Sequence, residues 1–161
     1  MAISIGDRLP NVKLKKATPD GAEDVNTADF FAGRKVVLVG VPAAFSSTCS
    51  NSHVPGFLEN HNAILARGVD AVAVVAVNDQ HTMGAWAQSY GADHGLVFLA
   101  DGNGEFTRAL GLEQDLSMAG MGMRSKRYSM IVDDGVVTQL NLEEARGQVT
   151  NSGAARILEQ L

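Results

Sequence analysis

Three short runs of β-branched and aliphatic residues, each apolar on both faces, constrain this chain more than any other feature. They are Lys35-Val-Val-Leu-Val-Gly-Val41, Val69-Asp-Ala-Val-Ala-Val-Val-Ala-Val77 and Leu96-Val-Phe-Leu-Ala100. A strand with one wet face alternates apolar and polar residues. One that does not alternate must be covered on both sides, as the central strands of an α/β sheet are. The stretches from Ser46 to Arg67, His81 to Tyr90, Gly104 to Leu110 and Ala154 to Leu161 read as the helices that supply this cover. Pro55 lies inside the longest of them and predicts a kink, because proline removes a backbone donor and crowds the preceding turn.

The C-terminal third changes character. Arg127 to Val132 and Val136 to Leu142 flank Asp134-Gly135, a two-residue turn that favours an antiparallel hairpin. A second, smaller hairpin is expected within Ile3 to Lys15. Alternating strands and helices followed by a hairpin make an α/β fold with a mixed central β-sheet flanked by helices, in one domain spanning residues 1–161. A thioredoxin-like fold has that order; a flavodoxin-like fold would want another parallel unit in place of the hairpin.

Charge and cysteine content narrow the function. Thirteen basic against eighteen acidic residues give a net charge of −5, which repels nucleic acid and anionic membrane surfaces. Arg124-Ser-Lys-Arg127 is too short to overturn that balance. The longest apolar run, Ala71 to Val77, falls far short of the roughly 20 residues a membrane helix needs. The start, Met1-Ala-Ile-Ser-Ile-Gly-Asp7, has neither the basic nor the apolar part of a signal peptide. The one cysteine excludes an intrachain disulfide and suits a reducing compartment, so a cytoplasmic location is expected. His61, His81 and His94 are scattered without zinc spacing, and no metal or cofactor is called for. Asp101-Gly-Asn-Gly104 lacks the spacing of a phosphate loop and reads as a turn before a helix.

Chemistry concentrates where the first doubly apolar run ends, in Val39-Gly-Val-Pro-Ala-Ala-Phe-Ser-Ser-Thr-Cys49-Ser-Asn-Ser-His53. Ligands of open α/β sheets bind at that end of the strands. Cys49 enters a helix there, among backbone N–H groups without intrahelical partners and at the positive end of the helix dipole. Both favour a thiolate. Ser46, Ser47 and Thr48 add hydroxyls, which argues against the ordinary reading of a lone cysteine as a small buried hydrophobe. His53, four residues on, invites a Cys–His dyad and with it a hydrolase reading; pocket lining or a structural hydrogen bond is the preferred assignment.

Pro42-x-x-x-Ser46-x-x-Cys49 resembles the peroxiredoxin active-site pattern. The longer string Gly40 to Phe57 and the segment Lys126-Arg-Tyr-Ser-Met-Ile-Val-Asp-Asp-Gly-Val-Val137 resemble the atypical type-5, or plant type II, branch of that family. The resemblance implies a thiol peroxidase that reduces hydrogen peroxide and organic hydroperoxides through a sulfenic acid on Cys49. It implies that Pro42 shields the sulfur, while Ser46 and Arg127 hold thiolate and peroxide in line. Phe45, Thr48 and His53 are expected to line the substrate pocket. Type-5 enzymes often carry a resolving cysteine before the last helix. Here that segment reads Gly147-Gln-Val-Thr-Asn-Ser-Gly-Ala154, so an external thiol must regenerate the enzyme, glutathione with glutaredoxin or thioredoxin. The resemblance also suggests a homodimer. Met118-Ala-Gly-Met-Gly-Met123 reads as adaptable packing on a loop, or as lining of a substrate mouth or subunit contact. The alternative is a peroxide sensor or redox-relay protein that uses the same cysteine without turning over.

A thiolate alone is not a peroxidase. Lowering a thiol pKa from about 8.5 to about 6 raises the thiolate fraction at pH 7 about 30-fold. A Brønsted slope of about 0.4–0.5 returns roughly 10- to 18-fold as lost nucleophilicity. The remaining two- to threefold is small beside enzyme accelerations of about 10⁶ or more, so positioned donors must supply the rest.

Overall fold

The residues that avoid water on both faces form the parallel centre of a seven-stranded sheet. The computed structural model describes residues 2–144 and 149–161. Its strands are β1 (Lys13–Thr18), β2 (Gly21–Asn26), β3 (Lys35–Gly40), β4 (Ala71–Ala76), β5 (Val97–Ala100), β6 (Glu113–Asp115), β7 (Met123–Ser125), β8 (Tyr128–Asp133) and β9 (Val136–Leu142). The helices are α1 (Thr27–Phe31), α2 (Val54–Glu59), α3 (His61–Leu65), α4 (Gln80–Ser89), α5 (Glu105–Leu110) and α6 (Ala154–Gln160). The main sheet runs β2-β1-β5-β4-β3-β8-β9, with β3, β4 and β5 parallel and the outer strands antiparallel. β6 and β7 pair in a small separate ribbon.

Alternation along each central strand splits the core in two. Val37, Val39, Val72 and Val74 face one layer, where they meet Phe57, Ile64, Trp86 and Ile157 from α2, α3, α4 and α6. Val36, Leu38, Ala73 and Val75 face the other, against Phe31, Phe106 and Leu110 from α1 and α5. Val36 to Val39 have no solvent exposure, and each such side chain contributes about 1.5–3 kcal/mol by burial. This is the thioredoxin-like arrangement anticipated from the order of elements.

The Asp134-Gly135 turn joins β8 to β9 with positive φ at both residues, +50° and +80°, as a primed hairpin turn requires. Two other expectations need correction. The N-terminal hairpin is not within Ile3 to Lys15 but is β1–β2, turning at Pro19 and Asp20. Only Leu14 of β1 is fully covered, so this edge pair carries no apolar alternation to reveal it. The long helix breaks at Asn60, between α2 and α3, rather than at Pro55. Pro55 sits in the first turn of α2, directly after a π-helical turn, Cys49–His53, closed by the Val54 N–H on the Cys49 carbonyl. The wider turn accommodates a residue that cannot donate to the carbonyl four positions back.

Gly40, the last residue of β3, pairs with Tyr128 across the sheet. A Cβ on Gly40 would overlap the Tyr128 ring. The missing side chain leaves room for the ring against β3, and Arg127 directly precedes Tyr128 at the edge where the cysteine loop begins.

Candidate active site

Cys49 lies in the first helical turn after the loop that leaves β3, and its sulfur is wholly buried. Tertiary contacts fix the backbone beside it. Trp86 Nε1 donates to Ser50 Oγ at 3.0 Å, and the Tyr90 hydroxyl donates to the Ser50 carbonyl at 3.2 Å, both from α4 and the residue that caps it. Neither contact was anticipated, although Trp86 and Tyr90 stand at the i, i+4 spacing that puts two side chains on one helix face.

The sulfur's polar partner is a buried guanidinium. Arg127, itself 7% exposed, donates from Nη2 to Sγ at 3.2 Å. Its Nη1 donates to His53 Nδ1 at 3.0 Å. His53 is buried behind the guanidinium, and its Nε2 donates to the Ser152 carbonyl at 2.9 Å. One ring nitrogen therefore carries the proton and the other accepts, which is the neutral imidazole. Burial holds the His53 pKa down to about 4, and the Arg127 charge pushes the same way against the Ser152 hydrogen bond and the Glu143 charge. A histidine so engaged has no free nitrogen to deprotonate Cys49, which removes the base a Cys–His hydrolase needs.

Over this group opens a cavity of about 600 Å³. Pro42, Ser46, Thr48 and Arg127 line it, together with Leu116, Met121, Leu142 and Glu143. The Ser46 hydroxyl donates to the Ala43 carbonyl at 3.0 Å, so towards the cavity it offers lone pairs rather than a proton for the sulfur. Two residues expected in the pocket lie outside it. Phe45 is 51% exposed, has φ +62° and packs its ring 6.2 Å from Trp86. His53 stands one layer deeper, reaching the cavity only through Arg127. In the methionine loop Met121 lines the cavity, while Met118 is 86% exposed. The expected turn at Asp101 forms, the Asp101 carboxylate accepting from the Phe106 and Thr107 amides at the start of α5. Of the segment without a resolving cysteine, Gly147 and Gln148 lie outside the described residues.

Glu143 and Ser152 went unrecognised as part of this site. The Glu143 carboxylate accepts from the Ser152 amide and hydroxyl, each at 2.6 Å, and from the Thr150 hydroxyl at 3.0 Å. Burial alone would raise its pKa, but these hydrogen bonds outweigh burial and hold it below the ordinary glutamate value.

A buried thiol joined to an arginine, beneath an open cavity at the carboxyl edge of a parallel strand, is an arrangement suited to thiol chemistry on a thioredoxin-like fold. The Redoxin family profile matches residues 4–158. The chain is 49% identical over 164 residues to the chloroplastic Peroxiredoxin-2E-2 of Oryza sativa subsp. japonica, covering 99% of this chain and 72% of that one. It is 48% identical to Peroxiredoxin-2C of the same plant, over 99% and 98% of the two chains. Among solved structures, reduced Prx3 of Vibrio vulnificus in complex with hydrogen peroxide superposes with a TM-score of 0.92 at 44% identity, over 98% of each chain. The chain belongs to the peroxiredoxin family and is a thiol peroxidase.

Proposed function

We propose that Cys49 is the peroxidatic nucleophile and that the Arg127–Sγ contact carries the reaction. The Cys49 thiolate attacks one oxygen of ROOH, the S–O bond forms as the O–O bond breaks, and RO⁻ leaves. The attacked oxygen, the one that bears hydrogen, remains on sulfur with its proton, giving Cys–SOH; RO⁻ takes a proton to become alcohol, or water when R is hydrogen. Negative charge moves from sulfur to the departing oxygen along this path. Arg127, which already donates to the sulfur and also lines the cavity, is placed to follow it. Ser46 accepts a hydrogen bond from the peroxide through its free lone pairs, and Pro42 keeps bulk water from the inner wall. The cavity of about 600 Å³ far exceeds two waters' share of liquid volume, about 60 Å³, so organic hydroperoxides fit as well as hydrogen peroxide.

With one cysteine in the chain, the reductant is an external thiol: glutathione with glutaredoxin, or thioredoxin. A reducing compartment such as the cytoplasm supplies it. We further propose a homodimer, supported by the exposed Phe45 and Met118 beside the site, apolar surface that a second copy would cover. Sedimentation of the reduced protein as a stable monomer at micromolar concentration would remove the dimer. Peroxide consumption with each thiol donor in turn tests the rest: wild type should turn over with at least one, and Cys49→Ser should be inactive yet folded. Full activity in Cys49→Ser would end the reading.

A further inference from the structure

The hydrogen bonds around Arg127 do not stop at His53. Glu143, just past β9, holds the Ser152 amide and hydroxyl at 2.6 Å each. The Ser152 carbonyl accepts from His53 Nε2 at 2.9 Å, His53 Nδ1 accepts from Arg127 at 3.0 Å, and Arg127 donates to Cys49 Sγ at 3.2 Å. Each link depends on the one before. An imidazole with its proton on Nε2 presents a lone pair at Nδ1, which a guanidinium N–H can meet. With the proton on Nδ1 instead, two donors would face each other and the guanidinium would turn away from the sulfur. The Ser152 carbonyl decides which nitrogen keeps the proton, and that carbonyl precedes the N-terminus of α6 in a segment held by Glu143. The Glu143 amide also donates to the Arg127 carbonyl at 3.1 Å, so one residue holds Ser152 through its side chain and Arg127 through its backbone.

We propose that Glu143 is a positioning residue for peroxide reduction: by clamping Ser152 it fixes the His53 tautomer that aims Arg127 at the Cys49 sulfur. The proposal rests on the peroxidase reading above. Glu143 also lines the cavity, so the His53 tautomer is the readout that separates its action through Ser152, His53 and Arg127 from direct contact with peroxide.

The test combines the rate constant for Cys49 oxidation by hydrogen peroxide with the ¹⁵N–¹H correlation pattern of the His53 ring. Wild type should show the Nε2-protonated tautomer. Glu143→Ala should show a mixture, and its rate constant should fall tens of fold, within the roughly 10²-fold that an ångström of misplacement costs. Glu143→Gln keeps an acceptor for Ser152 and should recover most of the rate. His53→Ala should fall as far as Glu143→Ala, and the double variant no further, because both break one chain. Glu143→Asp, drawn back by one methylene, carries the same test at smaller amplitude should Glu143→Ala fail to fold. An unchanged tautomer or rate in Glu143→Ala would overturn the proposal. So would a Gln variant as slow as Ala, or singles whose losses multiply in the double. Wild type inert to peroxide would instead sink the peroxidase reading, and this proposal with it. An active wild type with an equally active Glu143→Ala would sink the proposal alone.

Discussion

At the scale of single residues, His53 couples the site to acid. It is neutral in the fold with a pKa of about 4, against 6.5 for the free side chain. As pH falls below 6.5 the unfolded chain takes up a proton that the native chain refuses until about pH 4. The unfolded state thus binds more protons across that window, and stability falls as pH falls. At about 1.4 kcal/mol per pH unit the ceiling is about 3 kcal/mol. Urea unfolding between about pH 7.5 and about pH 4.5 should therefore show wild type losing stability more steeply than His53→Asn, which cannot titrate there. Equal slopes would mean that His53 is solvated in the native state. Above pH 6.5 the full contribution is present and the two profiles should run parallel.

At the scale of elements, the site depends on how closely β3 and β8 approach. Gly40 leaves room for the Tyr128 ring, and Arg127 precedes Tyr128 in the chain. Gly40→Ala forces a methyl group into that ring, an overpacking of the kind that costs about 1–3 kcal/mol. A lowered denaturation midpoint together with slower peroxide reduction is the expected result; a slower rate at unchanged stability would mean the strand pair adapts by moving Arg127 alone. Close packing of this kind also governs how much the sequence reveals. β3, β4 and β5 announce themselves because burial on both faces leaves no room for polar residues, and Cys49 because hydroxyls crowd a helix start. Arg127 needed the family resemblance, since nothing local to Lys126-Arg-Tyr says that a sulfur 78 positions upstream will meet it. The β1–β2 hairpin was displaced although Thr18-Pro-Asp-Gly21 carries turn chemistry, because the flanking lysines and acids hide the pairing. Glu143 and Ser152 left no trace, because their part in the site consists wholly of contacts made after the chain closes: Ser152 and His53 are 99 residues apart.

At the scale of the whole molecule, the single cysteine decides the products of oxidation. One equivalent of peroxide without thiol should leave Cys49 as a sulfenic acid, read as one added oxygen in the intact mass. Excess peroxide should add a second oxygen, and glutathione should divert the first product into a mixed disulfide. A disulfide-linked dimer as the main product without added thiol would contradict this, since two wholly buried sulfurs would have to meet.

The lone thiol beneath the cavity has a further consequence. A second peroxide and a rescuing thiol must both come to the same atom, and the chain holds no thiol of its own to settle the contest in advance. The outcome then depends on a ratio of outside concentrations. On the proposed chemistry the molecule should cycle while thiol is abundant and stop at the sulfinic acid once peroxide outruns thiol. In that respect it behaves as a fuse, rated by the thiol supply around it.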